Sequence, residues 1–208
     1  NTVFPLNDDN SLYSQRPSSE LTLERPVTIL PGTATLERFR SSKLISLRSF
    51  TIEVEFDHRE SDRGVLVSHG DQGAGYLLYV DEGLLCFAFN EYGRMHRVSH
   101  PLVHNRRTRV ELAFVALPDV KWSLDILVDG ERVMGFSSLL QLVGMAPFTG
   151  ISVGIDRGGP VDWDLHERER SFAFTGALRF VRYVPGERAP YDPEVIIEIE
   201  SATARIYE

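Results

Sequence analysis

Over residues 50–57 the chain alternates strictly. Phe50, Ile52, Val54 and Phe56 are apolar, and Thr51, Glu53, Glu55 and Asp57 are polar. A strand repeats every two residues, so the first set lines one face and the second set the other. On a helix the same residues would scatter around the axis. This stretch therefore predicts a half-buried antiparallel strand. Further strand candidates follow at short spacing over 64–69, 76–81, 84–91, 94–99, 109–116, 123–128, 132–136, 151–155 and 172–183. The turn residues between them agree. Val80-Asp81-Glu82-Gly83-Leu84 and Val128-Asp129-Gly130-Glu131-Arg132 read as hairpins, the second with the Asp-Gly pair that suits a type I′ turn. Closely spaced strands without intervening helices predict an all-β, antiparallel β-sandwich of jelly-roll type with little helix.

Between residues 50 and 183 no helical stripe stands out, and residues 139–145 supply at most one short helical turn. Residues 1–23 are polar and aperiodic and read as an arm or linker. Residues 24–184 form the sandwich, and residues 185–208 a C-terminal extension. In that extension Tyr191-Asp192-Pro193-Glu194 suits a helix start, yet Ile197 and Ile199 alternate with Glu198 and Glu200 as in a strand. Both readings stay open. The chain opens at Asn1-Thr2-Val3-Phe4-Pro5 without an initiator Met, which reads as the middle of a longer polypeptide or a processed product. In that case the arm must bury Val3, Phe4, Leu6, Leu12 and Tyr13, and aromatics such as Tyr92 or Trp163 are expected to face a neighbouring domain.

Composition narrows the function classes. A chain of 208 residues buries enough surface to need neither disulfide nor metal. The net charge of −8 argues against a nucleic-acid or anionic-membrane surface. The single cysteine, Cys86, lies in the apolar run Leu84-Leu85-Cys86-Phe87-Ala88-Phe89 and is expected to be a small core residue. The long uncharged run over 133–155 is broken by Gly135, Gly144, Pro147 and Gly150, so no membrane span is expected. The expected compartment is the cytoplasm.

Three constellations bear on chemistry. Glu55-Phe56-Asp57-His58-Arg59-Glu60 is an E-x-D-x-x-E string; two carboxylates about 5 Å apart would suit a retaining glycosidase. Against that, Glu53, Glu55 and Asp57 suit the wet face of an ordinary strand, and no Trp stands nearby to stack a sugar. The histidines His58, His69, His96, His100, His104 and His166 show no metal-binding spacing and are expected to be solvated or satisfied. Asp156, Asp162 and Asp164 fall in one loop, where three carboxylates could hold calcium. Arg157 competes for them, and a turn held by Asp and Pro is the favoured reading, with no metal and no cofactor.

The motifs in chain order resemble the carboxy-terminal domain of large bacterial arylsulfatases, a concanavalin A-like (laminin-G-like) sandwich. They are Asn1-Thr2-Val3-Phe4-Pro5-Leu6-Asn7-Asp8, Gly64-Val65-Leu66-Val67-Ser68-His69-Gly70, Gly75-Tyr76-Leu77-Leu78-Tyr79-Val80 and Phe89-Asn90-Glu91-Tyr92-Gly93. Leu127-Val128-Asp129-Gly130, Val153-Gly154-Ile155-Asp156 with Pro160-Val161, and Phe174-Thr175-Gly176-Ala177-Leu178 complete the set. The formylglycine-forming sequence of that family, C-x-P-S-R or C-x-A-G-R, is absent. The resemblance thus implies a non-catalytic accessory domain whose partner is a sulfatase catalytic domain of the same polypeptide, with a homo-oligomer as a further option. A free carbohydrate-binding module is the alternative, and a sandwich glycosidase using Glu55, Asp57 and Glu60 the third reading. Asn90, Tyr92 and Trp163 are the candidate ligand-binding residues.

Overall fold

The computed structural model describes residues 24–143, 147–189, 191, 192, 194, 195 and 198. The arm expected over residues 1–23 lies outside the described residues, as does most of the tail. Eleven strands appear among the described residues: β1 (Val27–Ile29), β2 (Arg48–His58), β3 (Gly64–Asp71), β4 (Ala74–Asp81), β5 (Leu84–Glu91), β6 (Arg94–Pro101), β7 (Arg106–Leu117), β8 (Lys121–Val128), β9 (Glu131–Leu140), β10 (Ile151–Val153) and β11 (Ala177–Arg188). They pair antiparallel in two sheets, one of six strands in the order β1-β11-β2-β7-β8-β9 and one of five in the order β10-β3-β4-β5-β6. The fold is the antiparallel β-sandwich expected from the alternation.

The alternation on β2 works as the pattern predicts: Phe50, Ile52, Val54 and Phe56 are buried, and the polar set lies on the outer face. Opposite them Tyr76, Leu78, Leu85, Phe87 and Phe89 complete the core between the sheets. Hairpins form where glycine permits positive φ: Glu82-Gly83, Tyr92-Gly93 and Asp129-Gly130 all take positive φ at both turn residues. That is the type I′ geometry whose twist matches the flanking strands.

Among the described residues helices α1 (Arg38–Ile45) and α2 (Trp163–Glu169) accompany the sheets. Helix α2 forms in the stretch between residues 50 and 183 where no helical stripe stood out. It is a short segment capped by Asp162, whose side chain accepts from Leu165 N, and a segment of seven residues is too short to display a stripe. The helical turn expected over 139–145 is not seen where the chain is described, since Leu139 and Leu140 belong to β9. In the tail Asp192 Oδ1 accepts from Glu194 N at 3.0 Å, and Glu194 and Val195 are helical.

The segment carrying α2 lies over the outer face of the five-stranded sheet. Val161, Leu165 and Phe172 pack there on Val65, Leu77 and Ala88, forming a second, smaller core. Strands β3 to β5 are therefore buried on both faces, which is why they read as apolar runs instead of alternating. Cys86 shares this outer face with Ala88, not the main core. Burial pushes its thiol up to about 11. Among the described residues no helix is long and apolar enough to cross a membrane.

Candidate functional site

At one end of the sandwich the chain leaves β2, enters β7 and enters β11 side by side. Asp57 pairs with Arg107 across one ladder and with Ala177 across the other, and His58 pairs with Arg106. The β2–β3 turn folds over this end: Asp62 Oδ2 accepts from Arg59 N at 2.7 Å, and Asp62 N donates back to Arg59 O at 3.1 Å. Thr175 clamps the same turn, accepting from Arg63 N at 3.0 Å and reaching Asp62 Oδ1 at 3.2 Å. Gly176 lets the chain pass close to β2, since a Cβ there would stand 2.8 Å from Asp57 O. The three crossings enclose an open cleft of about 650 Å³. That falls within the range of roughly 300–1,000 Å³ typical of small-molecule sites.

The cleft is polar. Its lining includes Arg59, Arg106 and Arg107 against Asp57 and Asp62, a positive balance on a chain of net charge −8. Arg107 is held by Asp57 at 3.0 Å, and Arg106 is paired with Asp129. Arg59 is exposed, and among the described residues its guanidinium meets no carboxylate. Asn105, at positive φ, donates its backbone N–H to His58 O at 3.0 Å and holds its side chain at the rim.

Beneath the cleft lies His58, only 3 % exposed, with neither ring nitrogen hydrogen-bonded. Its ring stands 5.7 Å from that of His104, whose Nδ1 is also buried and unpaired, and 5.4 Å from that of Phe56. Burial, then the neighbouring His104 and Arg106, pull its basicity below that of a free histidine, against the opposing field of Asp62. The expectation that all six histidines are solvated or satisfied is thus corrected at His58 and His104, and also at His69, whose Nε2 is buried without a partner. Alternation on β2 carries His58 inward after Phe56, and that was the signal in the sequence.

The E-x-D-x-x-E string folds as part of this end. Glu55 and Asp57 share the outer face of β2, and Glu60 lies exposed in the turn. Asp57 accepts from Arg179 Nε at 2.8 Å and from Arg107 Nε at 3.0 Å, and these bonds hold its carboxyl below the usual carboxylate range. A carboxyl held ionised in this way has no proton to give a leaving group.

The acidic loop is organised by a residue that sequence reasoning did not single out. Arg97 on β6, not Arg157, takes the carboxylates: its Nε and Nη2 reach Asp162 at 2.7 and 2.8 Å, and Nη2 reaches Asp164 at 2.8 Å. Burial raises the Asp162 carboxyl, but the Arg97 pair outweighs it and holds the group below its ordinary value. Asp156 points elsewhere, accepting from Ser68 Oγ at 3.1 Å and Val161 N at 3.3 Å, and burial pushes its carboxyl up. Among the described residues no group of three or more His, Cys, Asp or Glu is placed to hold a metal ion. A second cavity of about 240 Å³ lies beside this loop, lined by Val65, Leu77, Asp156, His166 and Phe172 among others.

Of the three candidate ligand-binding residues, Asn90 is buried. Its amide donates to Gln72 O at 3.0 Å and Val161 O at 3.2 Å, and its Oδ1 accepts from Gly93 N at 2.7 Å. It ties the β5–β6 turn to the acidic loop. Tyr92 is 42 % exposed, with its hydroxyl donating to Gln141 O and accepting from Val143 N, each at 3.0 Å. Trp163 is 51 % exposed at the start of α2, its indole N–H donating to Glu167 at 3.0 Å. None of the three lines the cleft.

No family model matches the chain, and no curated protein does. Among solved structures it is similar to the Ruminococcus gnavus IT-sialidase CBM40, at 15% identity and a TM-score of 0.54, covering 85% of this chain and 96% of that chain. The same module bound to alpha2,3 sialyllactose superposes with 16% identity and a TM-score of 0.53, again over 85% of this chain and 96% of that chain. Domains LG4-5 of the mouse laminin alpha1 chain match more loosely, with 15% identity and a TM-score of 0.41 over 79% of this chain and 40% of that chain. The expected kinship with arylsulfatase carboxy-terminal domains is thereby corrected, and the sulfatase partner rested on that kinship alone. Where they are described, the motifs that suggested it are I′ hairpins, buried strands and close-packed glycines, features that β-sandwich domains share. At these identities the likeness establishes the sandwich fold.

Proposed function

We propose that this chain is a non-catalytic carbohydrate-binding module that takes a sugar carrying an acidic group in the cleft at the end of β2. The observation that carries this reading is Arg59: an exposed guanidinium without a carboxylate partner among the described residues, fixed by its backbone on the rim of a polar cleft. A guanidinium presents a planar fork of donors that matches a carboxylate or sulfate. Around it the Asn105 amide and the edges of Asp62 and Thr175 offer the mixed donors and acceptors that sugar hydroxyls need. The likeness to a sialidase module solved with a sialylated sugar supports the same class of ligand. Asp57, locked between two arginines, suits a structural post better than a general acid.

Isothermal titration with 3′-sialyllactose, 3′-sulfated lactose and plain lactose tests the reading. Binding of an acidic sugar that Arg59→Ala weakens at least tenfold, with lactose much weaker, is the expected result. Absence of binding by all three sugars, or unchanged affinity in Arg59→Ala, overturns it.

A further inference from the structure

We infer that ligand binding in this cleft is coupled to proton uptake by His58, so that an acidic sugar binds more tightly as the pH falls. The inference rests on the binding reading above and adds its regulation.

The geometry is that of a titratable group sealed under an anion site. His58 lines the floor of the cleft but is 3 % exposed, and both its ring nitrogens are buried without a partner. A buried polar nitrogen without a hydrogen bond is costly to keep and uncommon. It persists here because the neutral ring still packs, edge against His104 and tilted on Phe56. Three elements packed around the ring set its field. The β6–β7 connection brings His104, β7 brings Arg106, and the β2–β3 turn brings Asp62. Asp57, Arg59 and Arg107 line the cleft above. Of these three groups His104 and Arg106 oppose a proton on the ring, and Asp62, which favours one, is spent on Arg59 N and Thr175. In the empty cleft a proton on His58 is therefore disfavoured.

An anion seated against Arg59 changes that balance, adding negative charge above a ring shielded from water, where electrostatic effects are strong. Protonated His58 becomes more favourable in the complex than in the free protein. Linkage then requires the reverse: a protonated His58 must favour the anion by the same factor. Each unit by which the anion raises the histidine is worth about tenfold in affinity below both values. No direct contact between ring and ligand is needed.

The experiment is titration of wild type and of His58→Leu with 3′-sialyllactose at pH 7.5, 6.5 and 5.5. Each is run in two buffers of different ionisation enthalpy so that protons taken up are counted. In wild type we expect Kd to fall at least threefold from pH 7.5 to 5.5 with net proton uptake on binding that grows as the pH falls, and His58→Leu to lose both. Should His58→Leu fail to fold, His58→Gln, polar but without a titratable ring, takes its place and is expected to lose the same slope and proton uptake. A wild-type Kd that is flat with pH, no proton uptake, or a slope retained in His58→Leu overturns the coupling while leaving an Arg59-dependent site standing. Absence of binding at every pH overturns the binding reading, and the coupling with it.

Discussion

Arg48 and His58 close the two ends of one inward-facing row on β2, and only the Arg48 side chain is hydrogen-bonded there. Arg48 is 4 % exposed and donates to Gly186 O at 2.7 Å, to Lys43 O at 3.3 Å and to Glu24 at 2.8 Å, whereas neither ring nitrogen of His58 has a partner. The same alternation that buries the four apolar residues between them has carried two polar residues inward. The cost of each depends on what the opposite elements offer.

Replacement by apolar residues of similar size should therefore separate the two. Arg48→Met strands the carbonyls that the guanidinium satisfied and should cost about 2–3 kcal/mol. His58→Leu removes an unsatisfied group and should fall within about 1 kcal/mol of wild type, or above it. Urea unfolding at pH 7.5 measures both, and a larger loss in His58→Leu than in Arg48→Met would contradict the asymmetry.

The tyrosine bridge between the sheets makes an ordered prediction. Tyr76 OH lies 2.9 Å from Tyr183 OH and 3.1 Å from His69 Nδ1, all three groups being buried. Tyr183→Phe removes one hydrogen bond and should cost about 1 kcal/mol, but Tyr76→Phe strands two buried groups at once and should cost about 2–3 kcal/mol. Equal costs in thermal or urea unfolding would show that Tyr76 is not the centre of the chain.

Acid should weaken the fold through its buried histidines. Burial lowers His69 from 6.5 to about 3, and His58 is lowered as well. The unfolded chain takes up these protons first, so stability is full above pH 6.5 and declines as the pH falls from there towards 3. Urea midpoints at pH 7.5, 5.5 and 4.5 should fall in that order. His58→Leu should show a shallower decline, and a midpoint that rises on acidification would refute the assignment.

At the acidic loop Asp162 caps α2 and holds Arg97 by two hydrogen bonds, so Asp162→Ala should cost about 2 kcal/mol, of which roughly half is the cap. Its carboxyl is held low, so this contribution is present above the unfolded value near 3.8 and disappears as the pH falls through the lower folded value. The gap between wild type and mutant should close in melts below that value.

With Asp162 and Asp164 spent on Arg97, added calcium is expected to leave the melting temperature unchanged relative to chelator. A site filled at a hundredfold excess over its Kd would stabilise by about 2.7 kcal/mol. A calcium-dependent rise in melting temperature, lost in Asp156→Ala, would establish a metal site instead.

The sequence alone determined what depends on near neighbours along the chain. The period-two pattern of Phe50 to Phe56 placed β2 with its apolar face inward, and Asp129-Gly130 set its hairpin, because pleat and turn geometry act over two to four residues. Tertiary structure decided what depends on residues far apart. Helix α2 exists because Asp162 caps it and the sheet beneath offers apolar surface, neither of which a seven-residue string displays. The carboxylates of Asp162 and Asp164 went to Arg97, 65 and 67 positions away, rather than to Arg157 in their own loop. His58 met His104 and Arg106 instead of a hydrogen-bond partner, and Arg59 was left at the rim of a cleft that three chain crossings create. Burial and charge pairing are sums over everything that surrounds a group, and in a sandwich most of those neighbours arrive from other strands.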